Sequence, residues 1–163
     1  MIQLVPMSQG QFEEYREQAV PSYAEDNVKA GAWDAEVALE KAERTFARLL
    51  PEGIATENHH FSNIIDDDGS CVGMIWFVLQ VAESARSAFI CDFEIYDRFR
   101  RRGYGKQALL ALEEKLQEEG VSKVSLHVFT HNEAARSLYE RLGYVSTGIN
   151  MTKPLTGRHT ERG

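Results

Sequence analysis

The run Arg100-Arg101-Arg102-Gly103-Tyr104-Gly105-Lys106 sets a string of cations around two glycines. A strand-like segment ends before it near Ile95 and a helix-like one begins near Gly105, so its backbone N–H groups are expected to open outward at a helix N-terminus. Unpaired amides, the positive end of the helix dipole and glycines without a Cβ suit a phosphate or similar anion. The arginines add charge-assisted hydrogen bonds. The spacing is not that of a Walker loop, whose glycines lie farther apart and whose lysine precedes Ser or Thr; here Gln107 follows Lys106. The competing interpretation is a basic surface turn, or a nucleic-acid patch made by Arg98-Phe99-Arg100-Arg101-Arg102.

The elements around this loop follow from periodicity. Ala88 to Ile95 reads as a strand, with Phe89, Cys91, Phe93 and Ile95 on one face and Ile90, Asp92 and Glu94 on the other. Two carboxylates therefore share a face just upstream of the anion loop. Gly105 to Glu119 reads as an amphipathic helix with Leu109, Leu112 and Leu116 inward and Gly120 as its stop. Val124 to Phe129 follows as a strand, and Asn132 to Leu142 as a helix with Gly143 as C-cap. Tyr144 to Leu155 is expected to close the sheet, and Thr156 to Gly163 to form a polar tail after a single domain over residues 1–155.

Upstream, Ile2 to Val5 reads as a short strand ended by Pro6. Ser8 to about Leu50 has helical spacing, with breaks expected near Pro21 and Gly31, giving two or three helices. Phe61 to Ile65 and Cys71 to Val81 flank Asp66-Asp67-Asp68-Gly69-Ser70, a hairpin signal. Consecutive aspartates lack the alternating ligand spacing of a calcium loop, and no metal site is expected.

Composition narrows the function. A net charge of -7 disfavours wholesale nucleic-acid binding, which relies on phosphate neutralisation by Lys and Arg. Cys71 and Cys91 lack metal-ligand spacing and read as buried, reduced thiols. No apolar run approaches the roughly 20 residues needed to cross a bilayer, and Met1 to Pro6 lacks a basic then apolar leader, so no membrane partner and a cytoplasmic location are expected.

Arg100-x-x-Gly103-x-Gly105 matches the [QR]-x-x-G-x-[GA] signature, and here the chain resembles the GNAT superfamily of N-acetyltransferases. A second segment, Leu126-His127-Val128-Phe129-Thr130-His131-Asn132-Glu133-Ala134-Ala135-Arg136-Ser137-Leu138-Tyr139-Glu140-Arg141-Leu142-Gly143-Tyr144, resembles the family's strand, Asn-x-x-Ala, Leu-Tyr and Leu-Gly-Tyr/Phe series at the expected distance downstream. The likeness is strong from Ala88 to Leu155. Nearer the N-terminus it extends only to element order.

The resemblance implies an α/β fold with a mixed, mostly antiparallel sheet flanked by helices, and a splayed strand pair that receives acetyl-CoA. It implies coenzyme contacts along Phe93, Glu94 and Ile95, at Arg100, Arg101, Arg102, Gly103, Tyr104, Gly105 and Lys106, and at Asn132, Ala135 and Tyr139. A backbone N–H of the 93–95 stretch would polarise the thioester carbonyl. Tyr139 would protonate the departing thiolate, because a phenol keeps its proton at neutral pH. Asn132 serves equally as an N-cap.

The attacking amine needs a base within hydrogen-bond reach or through one water. Glu94 and His127 rank equally, Asp92 is a third candidate, and His59, His60 and His131 are weaker. The implied reaction is direct acetyl transfer to a primary amine, small-molecule or peptide, in a ternary complex. Its rival is a non-catalytic acyl-CoA-binding or regulatory module. Glu25 and Asp26, near Tyr23 and Trp33, either attract a cationic amine or form a solvated helix face. Exposed sheet edges are compatible with a homodimer.

Overall fold

The structure, a computed structural model, describes residues 1–155; the tail expected over 156–163 lies outside the described residues. Five strands run β1 (Gln3–Pro6), β2 (His59–Ile65), β3 (Cys71–Ala82), β4 (Ala85–Ile95) and β5 (Val121–Leu126). They form one sheet in sequence order, antiparallel throughout except for the parallel β4–β5 pair. Four helices complete it: α1 (Gln9–Lys29), α2 (Ala35–Leu49), α3 (Tyr104–Glu118) and α4 (Glu133–Arg141). This is the mixed, mostly antiparallel architecture expected.

Each face of the sheet has its own core. On one, α1 and α2 bury Phe12, Val20, Ala42 and Phe46 against Phe61, Met74 and Trp76. On the other, Leu109, Leu112 and Leu116 of α3 and Tyr139 of α4 pack on Ile75, Phe77, Ala88 and Ile90. The aspartate run forms the β2–β3 turn: Asp66 Oδ1 accepts from the amides of Asp68 and Ser70 at 3.0 and 2.9 Å. Tyr104 Oη donates to Asp66 Oδ2 at 3.2 Å, fixing this turn against the start of α3.

Ser8 starts α1 through a reciprocal cap, its Oγ accepting from Gln11 N at 3.2 Å while Gln11 Oε1 accepts from Ser8 N at 2.9 Å. The break expected at Pro21 does not occur; α1 continues through it. Pro21 and Glu17, whose carbonyl loses its helical donor, both lie on the exposed face, so that oxygen is not left orphaned in the core. Ala19, Val20 and Ala24 on the opposite face are buried, and their packing holds the helix together.

Four further expectations are corrected. Tyr144 to Leu155 forms no strand and does not close the sheet. β5 ends at Leu126 and not at Phe129. Cys71 is exposed, because it stands at the open start of β3. The strict alternation along β4 fails at Cys91: Ile90 faces Phe77 and Asp92 faces Trp76, which leaves Cys91 as an extra, bulged residue. Ile90 and Phe93 consequently pack on the same side, with the α3 core, while Cys91 packs against the α1 core.

Candidate active site

The bulge at Cys91 bends β4 just where it loses its neighbour. β5 pairs only with Arg86 to Ile90, so Cys91 to Ile95 run on beside an opening V. Tyr96 N–H bonds back to Val72 O at 2.9 Å. Because donors alternate in direction along an antiparallel strand, Phe93 and Ile95 aim theirs at the opposite edge, the one β5 has left. Phe93 N–H accordingly reaches Asp92 Oδ1 at 2.9 Å rather than β3.

Gly73 allows the close β3–β4 pairing beside this opening, since a Cβ there would stand 2.1 Å from the Glu94 carbonyl oxygen. The V widens into a cleft of about 1170 Å³ between α1, β4 and the segment 126–129 that follows β5.

The anion loop lies past the end of this cleft. Arg101 and Gly103 are left-handed, with φ of 65° and 82°, a backbone that makes a concave nest of amides. None of the amide N–H groups of residues 101–106 donates to another described backbone group; the first closed bond is Gln107 N to Gly103 O at 3.1 Å. These donors, at the N-terminus of α3, are the feature an anion requires.

The cations stand around the loop. Arg100 folds back, its Nε donating to Ile95 O at 2.7 Å and its guanidinium pairing with Asp97 at 2.7 Å. Arg98 and Arg102 lie over the Phe99 ring. Arg101 and Lys106 are exposed. Gly105 packs so tightly that a Cβ would come within 3.0 Å of Leu138, which sets the approach of α3 to α4.

Asp92 is among the residues that line the cleft. Burial raises its pKa above the usual carboxylate range, opposed by hydrogen bonds from Tyr15 Oη and the Phe93 amide. The Tyr15 bond to Asp92 Oδ2 is 2.5 Å long. Glu94 is also raised, first by burial and then by the charge of Asp92, but it is exposed and Arg100 stands 3.9 Å away.

Tyr139 is 8% exposed and lines the cleft. Burial and the Asp92 charge push its pKa up to about 12. His127 lines the cleft too, exposed and edge-on to Phe129 at 4.9 Å. Asn132 caps α4, accepting from Ala135 N at 3.4 Å, and both residues reach the lining.

The structure thus brings together Asp92, Glu94, His127, Asn132, Ala135 and Tyr139, and places residues 100–106 beyond them. One residue, Tyr15, was not singled out from the sequence, and one pairing, between His131 and Asp26, was not foreseen. Tyr15 follows Phe12 and precedes Ala19 on the buried stripe of α1, and a tyrosine on such a stripe needs a partner for its hydroxyl, a signal available beforehand. His131 Nε2 lies 3.1 Å from Asp26 Oδ1 and bridges the loop before α4 to α1 across the cleft. His59 belongs to the lining as acceptor of the Trp76 indole N–H at 2.9 Å; His60 stacks on Phe77.

A sheet with one splayed parallel pair, beside an unbonded amide loop that opens a helix, defines the class as that of the N-acetyltransferases. Residues 13–144 match the acetyltransferase (GNAT) family, and the chain belongs to it. It is 40% identical over 154 residues to YycN of Bacillus subtilis (strain 168), named an uncharacterized N-acetyltransferase, covering 94% of this chain and 99% of that one. YdgE of the same organism, named likewise, is 37% identical over 152 residues, covering 93% and 97%. The crystal structure of the Bacillus subtilis YycN putative acetyltransferase superposes with a TM-score of 0.92 at 39% identity, over 96% of this chain and 100% of that one.

Proposed function

We propose that the protein transfers an acetyl group from acetyl-CoA to a primary amine by direct attack in a ternary complex. The observation that carries this reading is the run of unbonded amides at 101–106, set at the end of a cleft that holds Asp92 and Tyr139. The residues present fit the coenzyme: an amide nest for its pyrophosphate, and a strand edge with inward-facing donors for its pantetheine. Acetyl-CoA supplies the activated acetyl group as a thioester.

The amide of Ile95, which points into the V as Phe93's does but is not taken by Asp92, acts on the thioester oxygen, a contact that strengthens as negative charge develops there. Asp92 takes the amine's proton, directly or through one water, and its raised pKa makes it a better base than an ordinary carboxylate. Geometry favours it over Glu94, which is exposed beside Arg100, and over His127, at the exposed edge beyond β5. Tyr139 keeps its proton at neutral pH and gives it to the leaving thiolate. The new amide bond forms as the C–S bond breaks; Asp92 then releases its proton to solvent, and the second proton that the cationic amine sheds as the amide forms restores Tyr139 through solvent.

The acceptor is a cationic amine. The cleft lining carries Glu14, Asp26, Asp92 and Glu94 and, among the described residues, no lysine or arginine. Such a wall favours a positively charged amine and raises its local concentration.

Calorimetric titration with acetyl-CoA, free CoA and phosphate-free pantetheine tests the loop first. Binding of the first two and not the third is expected; equal binding of all three, or of none, overturns the loop assignment. Thiol release with a panel of mono- and diamines then tests transfer, and tight coenzyme binding with no turnover on any amine would leave a binding module instead.

A further inference from the structure

Helix α1 is tied to both arms of the V. One arm is the stretch of β4 from its bulge onward, Cys91 to Ile95; the other is the segment 127–131 that leaves β5 at Leu126. To the first arm, Tyr15 Oη donates to Asp92 Oδ2 across 77 positions of sequence. To the second, His131 Nε2 stands 3.1 Å from Asp26 Oδ1 across 105 positions. The carboxylate accepts, so Nε2 carries the proton and donates. Tyr15 and Asp26 sit about three turns apart, which puts them on one face of α1 and about 16 Å apart along its axis. Because α1 runs unbroken through Pro21, the two ties are held at a fixed spacing.

The second arm needs such a tie. The pairing of β5 with β4 ends at Leu126 opposite Ile90, and residues 127–131 belong to no strand. Among the described residues, the His131–Asp26 bond is the one side-chain hydrogen bond that joins this arm to another element. Within the arm the side chains form a ladder: His127 meets the Phe129 ring edge-on at 4.9 Å, and His131 stacks on the same ring at 5.3 Å and 17°. Phe129 O accepts from Asn132 N at 3.0 Å, which carries the ladder into the cap of α4. What His131 fixes is therefore passed to His127, Phe129 and Asn132, all of which line the cleft.

A pair on an open surface contributes little, because water competes for both partners. This pair is partly sheltered, with the histidine and aspartate side chains 33% and 40% exposed, and the histidine ring is already oriented by its stack on Phe129. Little ordering is left to be done when the bond forms.

We propose that His131 is a positioning residue: through Asp26 it fastens the far arm of the V to α1, which Tyr15 fastens to the near arm, and so sets the width of the slot that takes the coenzyme's pantetheine. The inference rests on the reading of the V as the acetyl-CoA site. With the tie broken the arm samples wider positions, and affinity falls in proportion to the time it spends out of place. The same slack lets the thioester drift from the attacking amine, so turnover falls as well.

The test combines calorimetric titration with acetyl-CoA and NMR order parameters of the backbone amides, on wild type, His131→Ala, Asp26→Ala, the double variant and His131→Gln. Either alanine variant should weaken binding roughly three- to tenfold, the worth of one net hydrogen bond. Order parameters should drop in 127–131 while those of 91–95 stay as they are. The double variant should be no worse than the single ones, because both remove the same bond. Glutamine carries an amide N–H at nearly the reach of Nε2 and should restore both readings, whereas a loss caused by the missing ring stack would persist in it. With wild type binding acetyl-CoA, unchanged affinity and order in the alanine variants overturn this inference alone; so do additive losses in the double variant or no rescue by glutamine. Absence of acetyl-CoA binding in the wild type overturns the coenzyme reading together with it.

Discussion

Removal of one hydroxyl, in Tyr15→Phe, isolates the proton chemistry of the cleft. Tyr15 Oη donates to Asp92 Oδ2 at 2.5 Å, while the ring packs against Phe61 with centroids 6.1 Å apart. Phenylalanine keeps that packing, so the fold should persist. A hydrogen bond to an ionised group contributes about 1.5–3 kcal/mol. Without it, burial acts on Asp92 with only the Phe93 amide in opposition, and the pKa of Asp92 rises further.

The sign follows directly. Deprotonated Asp92 is the base, so activity is present above its pKa and lost as pH falls through it; the substitution moves that loss to higher pH. On the acid limb, kcat/KM at fixed pH should fall roughly ten- to a hundredfold, at about 1.36 kcal/mol per decade, with recovery on the alkaline plateau. The assay is thiol release against pH for wild type, Tyr15→Phe and Asp92→Asn. An acid limb that stays in place in Tyr15→Phe, or survives in Asp92→Asn, refutes the assignment of Asp92.

Other outcomes can be checked with the same preparations. Tyr139→Phe should lower kcat about 10²–10⁴-fold, the usual worth of a general acid, with calorimetric affinity for acetyl-CoA unchanged. Gly103→Glu puts a β-carbon at φ 82° and a carboxylate among the open amides, and should abolish coenzyme binding in the same titration. In Gly73→Ala the new methyl meets backbone, 2.1 Å from Glu94 O and 3.1 Å from Ile95 Cα, so β3 and β4 must part. Overpacking of that kind costs about 1–3 kcal/mol, measurable as a lower urea midpoint, and it should impair activity by displacing the 93–95 stretch.

The features that depend on near neighbours in the chain were legible from residues alone. Gly103 and Gly105 ahead of an apolar Leu109-Leu112-Leu116 stripe specify a loop opening a helix, and Asn132 and Gly143 bracket another, because caps and turns are set by a few adjacent residues. The Asp66–Ser70 turn is of the same kind. What long-range packing decides was not legible.

Tyr15 and Asp92 meet across 77 positions only because α1 lies on the face of β3 and β4 that carries Trp76. The Cys91 bulge, which reverses the alternation and opens the V, arises from the register of β3 against β4. Pro21 stays helical because the buried side of α1 outweighs a local penalty. The segment 144–155 has every local mark of a strand, and whether it becomes one depends on an edge being offered in the right place. Strand pairing is a contract between distant partners, so the alternating residues determined a capacity to pair and only the tertiary structure decided that their own sheet does not receive them.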